Sequence, residues 1–299
     1  MLKNFHHAKL IQTLYLYFYV VMNTGRVLVA TDFTTQSIAA LRYATYVANR
    51  LNTRIDLVHV AEKKHLREQA ENRTAYKSLL ETIYENLEKI KMESGAAFRI
   101  SEHVLLSERS FYEEIIDYGV EHAFDLCCLG VSSSMNHDLG DNTEQLVKQA
   151  DFPIFTCREV KEPVQFKNLL LPIDLTGYTT EKIDRIIKFA KHFEATIHLL
   201  AVSEFLEELM KNVSVLSEKL NDAEKQIKAE GLKCTTEIIK NDFVNNSISE
   251  YAEEIDADLL VIMSKKENRI SELLLGSRVN KVISKSKIPV LSFRPLTEL

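Results

Sequence analysis

Short apolar runs alternate with amphipathic stretches along almost the whole chain, and the order of these segments is regular. Runs of about four to eight apolar residues, rich in branched side chains, are typical of buried strands. Stretches with apolar residues at a period near 3.6 are typical of helices that cover a sheet. Strands that alternate with helices favour right-handed crossovers, so the pattern predicts an α/β fold with parallel sheets covered on both faces.

The pattern predicts one set of elements in the first half of the chain and repeats it in the second. In the first half it predicts strands at Arg26–Ala30, Arg54–Val60, Phe98–Leu106, Leu126–Gly130 and Pro153–Cys157, and helices at Ser37–Asn52, Lys63–Ser94, Phe111–His122 and Thr143–Gln149. In the second half it predicts strands at Asn168–Ile173, Thr196–Val202, Cys234–Ile239, Leu259–Met263 and Val290–Phe293, and helices at Ile183–Phe193, Ser203–Glu230 and Ser247–Ile255. Because this order repeats at a nearly constant offset, we predict two tandem domains.

The predicted domains cover residues 22–160 and 161–299, with Lys161–Lys167 as the linker. Residues 1–21 are expected to form an extension outside the fold. The apolar run at Leu10–Met22 is shorter than the about 20 residues that a membrane-spanning helix needs. No small-residue cleavage site follows the run, so we expect neither a signal peptide nor a membrane partner.

Composition and charge exclude several classes of function. The chain has 299 residues, of which 45% are apolar and 27% charged, as in ordinary globular proteins. A formal net charge of −6 argues against a nucleic-acid partner. The four cysteines show neither a CxxC pair nor the spacing of a metal site, so we expect a cytoplasmic protein that requires no metal. Cys127 and Cys128 lie in an apolar strand, where we expect them to pack in the core.

The stretch Asp258–Pro289 has the order strand, loop, Gly276-Ser277, helix and strand. This order is typical of phosphate sites in α/β sheets, because a glycine lets the backbone approach an anion and a helix N-terminus offers free N–H groups. The alternative is that Ser277 simply caps the helix after a turn glycine. The residues alone leave both interpretations open.

Five segments of the repeat have a recognisable pattern: VLVATDFT at Val27–Thr34, LVHV at Leu57–Val60, the turn and helix at Gly140–Val147, LLPIDLT at Leu170–Thr176 and LLLGSRVNKV at Leu273–Val282. With these segments the repeat resembles the universal stress protein family in its tandem two-domain form. The resemblance implies two tandem Rossmann-like domains of the adenine-nucleotide-hydrolase type, each a five-stranded parallel sheet sandwiched by helices. It also implies that the last strands of the two domains pair, which makes the chain an intrachain pseudo-dimer.

The resemblance also implies candidate residues for binding ATP or AMP. Family members that bind such nucleotides carry Gly, two residues, Gly, nine residues and Gly-Ser/Thr, together with an aspartate after the first strand and a valine in the second. The positions of this chain that match or replace this set are Asp32, Val60, Gly130, Gly140 and Thr143 in the first half and Asp174, Val202, Lys265, Lys266, Gly276 and Ser277 in the second.

The first-half loop departs from the family pattern. Ser133 stands where the second glycine belongs, the spacer to Gly140 is shortened, and Asp141 replaces the Ser/Thr. Asp138 and Glu144 add negative charge where a phosphate would lie, and like charges in contact cost on the order of 1 kcal/mol even when solvated. We therefore expect no triphosphate in the first half.

The second-half loop keeps the spacer and Gly276-Ser277, but Met263 and Lys266 replace the two leading glycines. If those positions need φ > 0, each side chain costs on the order of 1–2 kcal/mol. Basic residues surround the loop and can hold phosphate as point charges. The alternative is that the same cluster is a solvated surface, which is the more common role of such residues. The second half is the better candidate of the two.

We expect a cytoplasmic stress-response protein that acts by binding, with degenerate adenine-nucleotide sites. The alternative is an interaction or scaffold module that docks a protein partner through the long helices at Lys63–Ser94 and Ser203–Glu230. An enzyme is not expected, because the chain lacks the SGGxDS and HxGH motifs of the enzymes that share this topology. His59 lies within the strand at LVHV, where a structural role is expected.

Overall fold

The computed structural model describes residues 25–70, 72–96, 99–132, 139–162, 164–174, 179–203, 206–241, 243–263 and 276–294. The strands are β1 (Arg26–Ala30), β2 (Arg54–Glu62), β3 (Ile100–Ser107), β4 (Leu126–Gly130), β5 (Ile154–Cys157), β6 (Asn168–Ile173), β7 (Thr196–Ser203), β8 (Cys234–Lys240), β9 (Leu259–Met263) and β10 (Val290–Phe293). The helices are α1 (Thr35–Leu51), α2 (Lys63–Gln69), α3 (Arg73–Glu93), α4 (Phe111–Glu121), α5 (Asp141–Gln149), α6 (Thr179–Phe193), α7 (Leu206–Ala229), α8 (Val244–Glu254) and α9 (Gly276–Lys285).

All these strands belong to one ten-stranded sheet with the order β3-β2-β1-β4-β5-β10-β9-β6-β7-β8. Each half contributes five parallel strands in the same internal order, which confirms the predicted fold class. The two halves meet where β5 pairs with β10 in antiparallel register, with Val290 opposite Thr156 and Ser292 opposite Ile154. The pairing of the last strands is therefore confirmed.

The strand order places a topological switch point in each half. In the first half β1 pairs with β2 on one side and with β4 on the other. In the second half β6 pairs in the same way with β7 and β9. The connections leave in opposite directions at these points, which opens a crevice at the carboxyl ends of the strands.

The prediction of one long helix at Lys63–Ser94 was wrong, because the chain forms the separate helices α2 and α3. The side-chain oxygen of Asn72 accepts hydrogen bonds from the backbone N–H groups of Thr74 at 2.9 Å and Ala75 at 3.0 Å. These bonds satisfy N–H groups that the first turn of a helix cannot satisfy internally, so Asn72 starts a new helix. Elsewhere α1 and α5 each begin two residues before the predicted start.

One hydrophobic core on the α1 and α6 face of the sheet runs through both halves. Phe166 of the predicted linker is fully buried in this core. Its ring centroid lies 5.9 Å from that of Tyr43 in α1 and 5.2 Å from that of Phe193 in α6. The linker therefore packs as part of the joint between the halves, while the division at residues 160 and 161 stays a prediction. The predicted extension at residues 1–21 lies outside the described residues.

Candidate nucleotide crevices

The strand register brings the predicted aspartate and valine of each half to the same level of the sheet edge. In the first half Ala30 is opposite Val58, so Asp32 and Val60 each lie two residues further along neighbouring strands. In the second half Ile173 is opposite Ala201, which places Asp174 level with Val202. Both valines are half-buried, whereas both aspartates are exposed. Each crevice therefore has an apolar wall beside an accessible carboxylate.

Asp32 caps the turn that leads from β1 into α1. Its Oδ1 accepts hydrogen bonds from the backbone N–H of Thr34 at 3.1 Å and from the Thr34 hydroxyl at 2.5 Å. Partial burial acts to raise the pKa of Asp32, but the hydrogen bonds from Thr34 outweigh it and leave the pKa below its usual value. Asp32 is thus held as a carboxylate, and it caps this turn in addition to its predicted place among the nucleotide-binding residues.

His59 supports the same turn from the neighbouring strand. Its Nδ1 lies 2.8 Å from the carbonyl oxygen of Thr31, and its ring centroid lies 4.7 Å from that of Phe33, a residue with φ of 65°. Burial lowers the pKa of His59 although the carbonyl of Thr31 and the charge of Asp32 oppose this shift. The contacts agree with a structural role for His59. Sequence analysis did not single out Phe33 or Thr31, because nothing in the pattern indicates the positive φ.

Gly130 is required by a close approach between β4 and the first turn of α1. A Cβ at this position would lie 2.2 Å from the carbonyl carbon of Gln36 and 2.3 Å from the backbone nitrogen of Ser37. In the second half the corresponding residue at the end of β9 is Met263, which packs against the core. Gly130 therefore has a packing function that its assignment to a phosphate loop did not include.

The first turn of α5 carries negative charge. Gly140 is the residue that caps this helix, with φ of −61°, and a Cβ there would meet no atom within 4 Å. Asp141 and Glu144 lie in the first turn together with the half-buried Thr143, and Glu144 forms an ion pair with Lys148 at 2.6 Å. Acidic residues complement the positive end of a helix dipole and so occupy the place where an anionic ligand would bind. Ser133 and Asp138 lie outside the described residues.

The second-half crevice carries a buried lysine. The Nζ of Lys182 in α6 lies 3.2 Å from the Oδ1 of Asp174, and Lys219 of α7 donates to the carbonyl oxygen of Asp174 at 3.4 Å. The residue of α1 that corresponds to Lys182 is the fully buried Ala40. Sequence analysis missed Lys182, although a comparison of the apolar stripes of the two helices shows a lysine where its counterpart has alanine.

The family model described as the Universal stress protein family matches residues 23–158 and again residues 165–294. The chain belongs to the universal stress protein family. The two matches follow the two halves of the sheet, so this is a tandem universal stress protein.

Several relatives resemble this universal stress protein over one or both halves. A universal stress protein from Methanocaldococcus jannaschii is 28% identical over 140 residues, which are 42% of this chain and 81% of the relative. The crystal structure of a universal stress protein from Archaeoglobus fulgidus covers 92% of this chain and 98% of its own, with 19% identity and a TM-score of 0.71. A further structure from Archaeoglobus fulgidus, described as a complex with dAMP, covers 42% of this chain and 97% of its own, with 17% identity and a TM-score of 0.35.

The N-terminus of α9 in the second half of this universal stress protein differs in charge from the N-terminus of α5 in the first half. Gly276 and Ser277 lie in the first turn of α9, and this turn contains no acidic residue. Both interpretations of Ser277, phosphate contact and helix cap, place it at this terminus. The predicted site residues Lys265 and Lys266 lie outside the described residues.

The part of this universal stress protein that the structure describes shows no metal site, membrane-spanning helix or cysteine thiolate. Within it no three residues of histidine, cysteine, aspartate or glutamate come together as a metal site, and no helix is long and apolar enough to cross a membrane. All four cysteines are buried and unpaired with one another. Burial raises the pKa of the Cys157 and Cys234 thiols to about 12, so neither is a thiolate at neutral pH.

Proposed function

We propose that this universal stress protein acts by binding an adenine nucleotide, ATP or AMP, and that the second half is the working site. The observation that carries the proposal is the contrast between two helix N-termini. The first turn of α5 contains Asp141 and Glu144, whereas the first turn of α9 contains no acidic residue. A helix N-terminus attracts phosphate through its free N–H groups and its dipole, and acidic side chains oppose that attraction.

The proposed adenosine contacts are Asp174 and Val202, which lie level with each other on neighbouring strands. The carboxylate of Asp174 accepts hydrogen bonds, which suits a ribose hydroxyl group or an adenine amino group. Lys182 holds this carboxylate in place through its contact at 3.2 Å. Val202 supplies an apolar surface for the flat face of the base.

We propose that the protein is not an enzyme and that it serves a stress response in the cytoplasm through binding. No described group in either crevice pairs a nucleophile with a general base, because Asp32 is engaged by Thr34 and Asp174 by Lys182. A ligand that binds only the folded state stabilises that state by mass action, and a partner protein can respond to the stabilised state.

A second candidate function is docking of a protein partner on the long helices. Tyr84 and Met92 of α3 are 51% and 62% exposed, and Val215 of α7 is also exposed. Exposed aromatic residues and methionine are enriched at protein interfaces. This candidate requires no nucleotide, which separates it from the first.

Native mass spectrometry with ATP and AMP tests the proposal on the full chain. We expect one bound equivalent, lost in Asp174→Ala and retained in Asp32→Ala, which is the matched change in the first half. Two equivalents, or one equivalent that Asp32→Ala removes, would show that the acidic first half binds nucleotide. Absence of binding at millimolar nucleotide would favour the docking function.

A further inference from the structure

A basic cleft of about 810 Å³ lies between the two halves of the chain, apart from the predicted nucleotide residues. One wall is the beginning of α1, a second is the segment that follows β5, and a third is the end of α9 with the turn before β10. Because Val290 is opposite Thr156, this turn lies beside the carboxyl end of β5. The lining residues are Thr35, Gln36, Ile38, Ala39, Arg42, Arg158, Glu159, Val160, Ser284, Lys285, Ser286 and Lys287.

Positive charge dominates the lining of the cleft. Arg42, Arg158, Lys285 and Lys287 line it against the single carboxylate of Glu159. Arg42 and Lys287 form ion pairs with Glu162 and Glu253, and all four of these side chains are exposed. Exposed ion pairs contribute little to stability, so both cations can exchange their partners for a ligand.

Arg158 is the anchor of the cleft, because it joins the two halves. One of its terminal nitrogens donates to the carbonyl oxygen of Ser132 at 2.9 Å, and the other donates to the carbonyl oxygen of Ser284. These bonds orient the guanidinium but do not neutralise it, and within the described ranges no carboxylate pairs with Arg158. Partial burial lowers the pKa of Arg158, because removal from water disfavours its charged form.

Two residues from the first turn of α1 line the same cleft. Thr35 and Gln36 lie in the first turn of this helix, where N–H groups have no carbonyl partner within the helix. Thr34 already supplies its hydroxyl to the N–H of Ser37 at 3.3 Å. Helix N–H groups and arginine together are the donors that proteins use for phosphate oxygens.

We propose that this cleft binds a small phosphate-bearing molecule with at least two negative charges, and that the ligand contacts both halves of the chain. A volume of about 810 Å³ suits a small molecule. The net charge of −6 disfavours a nucleic acid at the same surface. Ile38, Ala39 and Val160 form the apolar part of the lining and give a short carbon skeleton a place beside the charged groups.

Inorganic pyrophosphate is the probe for this proposal, and isothermal titration calorimetry of the full chain at low ionic strength is the measurement. We expect one equivalent to bind, with an affinity at least tenfold weaker in Lys285→Glu. Lys281→Glu is the matched control, because Lys281 is an exposed lysine of the same helix that does not line the cleft. Arg158→Lys keeps the charge but loses the planar fork, and we expect it to weaken binding as well.

The outcomes separate this site from the proposed nucleotide site. Pyrophosphate binding that survives Asp174→Ala but falls in Lys285→Glu supports the cleft, whatever the fate of ATP and AMP. Equal losses in Lys285→Glu and Lys281→Glu would mean diffuse attraction to basic surface and would overturn the proposal. Absence of pyrophosphate binding to the wild-type chain at millimolar concentration would overturn it too.

Discussion

The Nζ of Lys182 lies 3.2 Å from the Oδ1 of Asp174, with the lysine side chain 6% exposed and the aspartate side chain 56% exposed. A buried ammonium group is costly unless a negative charge or carbonyl dipoles compensate it. Asp174 therefore compensates the buried charge of Lys182, in addition to its proposed contact with adenosine. Asp32 compensates no such charge in the first half, because alanine occupies the corresponding position in α1.

Asp174→Ala is expected to destabilise the protein more than Lys182→Met does. The first change leaves a buried ammonium group without one of its partners and should cost about 1–2 kcal/mol, less than a fully buried pair because Asp174 is exposed. The second replaces the charge with an apolar side chain of similar length and should cost less than about 1 kcal/mol. Urea unfolding of both variants measures the order, and the reverse order would contradict this account of the pair.

Gly130→Ala is expected to destabilise the first half by about 1–3 kcal/mol, because the new Cβ would collide with the backbone of Gln36 and Ser37. Gly140→Ala is the matched control, since a Cβ there meets no atom within 4 Å. The control should cost less than about 1 kcal/mol, the difference between glycine and alanine at a helix cap. Equal melting temperatures for the two variants would show that β4 and α1 can separate without cost.

Phe166→Ala is expected to lower the free energy of unfolding by about 3–5 kcal/mol and to broaden the thermal transition. Phe166 packs against aromatic side chains from both halves, so its loss removes contacts that make the halves unfold together. Differential scanning calorimetry records both effects. Phe243→Ala, at a position that is 68% exposed, should leave the transition sharp; a sharp, unshifted transition in Phe166→Ala would refute the role of the linker.

Stability is expected to fall as the pH drops below about 6.5, the ordinary pKa of histidine. Burial lowers the folded-state pKa of His59 and of His198, so the unfolded chain binds protons at these positions before the folded chain does. Their contribution is therefore complete above the ordinary pKa and is lost as the pH falls towards the folded-state pKa. His59→Gln should make the melting temperature less dependent on pH between pH 7 and pH 5. An unchanged dependence in both His59→Gln and His198→Gln would contradict the assignment of this effect to the two histidines.

The alternation of apolar runs and striped helices was enough to predict the strands. The central strands are buried on both faces and leave nearly continuous apolar runs, whereas the edge strands β3 and β8 contain exposed residues and leave a weaker pattern. The repeat also indicated that Asp32 and Asp174 occupy equivalent places. The break at Asn72 was not predicted, because an asparagine inside a charged stretch looks like any exposed helical residue until its side chain is seen to bond the backbone. Periodicity carries no information about such local competition for N–H groups.

The contacts that distinguish the candidate sites join separate elements of the fold. Arg158 meets the carbonyl group of Ser132 because β4 pairs with β5, and it meets that of Ser284 because β5 pairs with β10. Lys182 meets Asp174 because α6 folds back over the strand that precedes it. Such contacts depend on the assembled fold, so the pattern of a single segment could not reveal them.

The antiparallel pairing of β5 with β10 has a consequence for how the two crevices can change over time. In an assembly of two identical chains, every substitution appears at both crevices at once. Here each half always meets the same neighbour on its own chain, at any protein concentration, and its residues vary independently of the other half. An acidic helix terminus at α5 can therefore coexist with a terminus at α9 that lacks acidic residues, and a lysine can enter one crevice while alanine persists in the other.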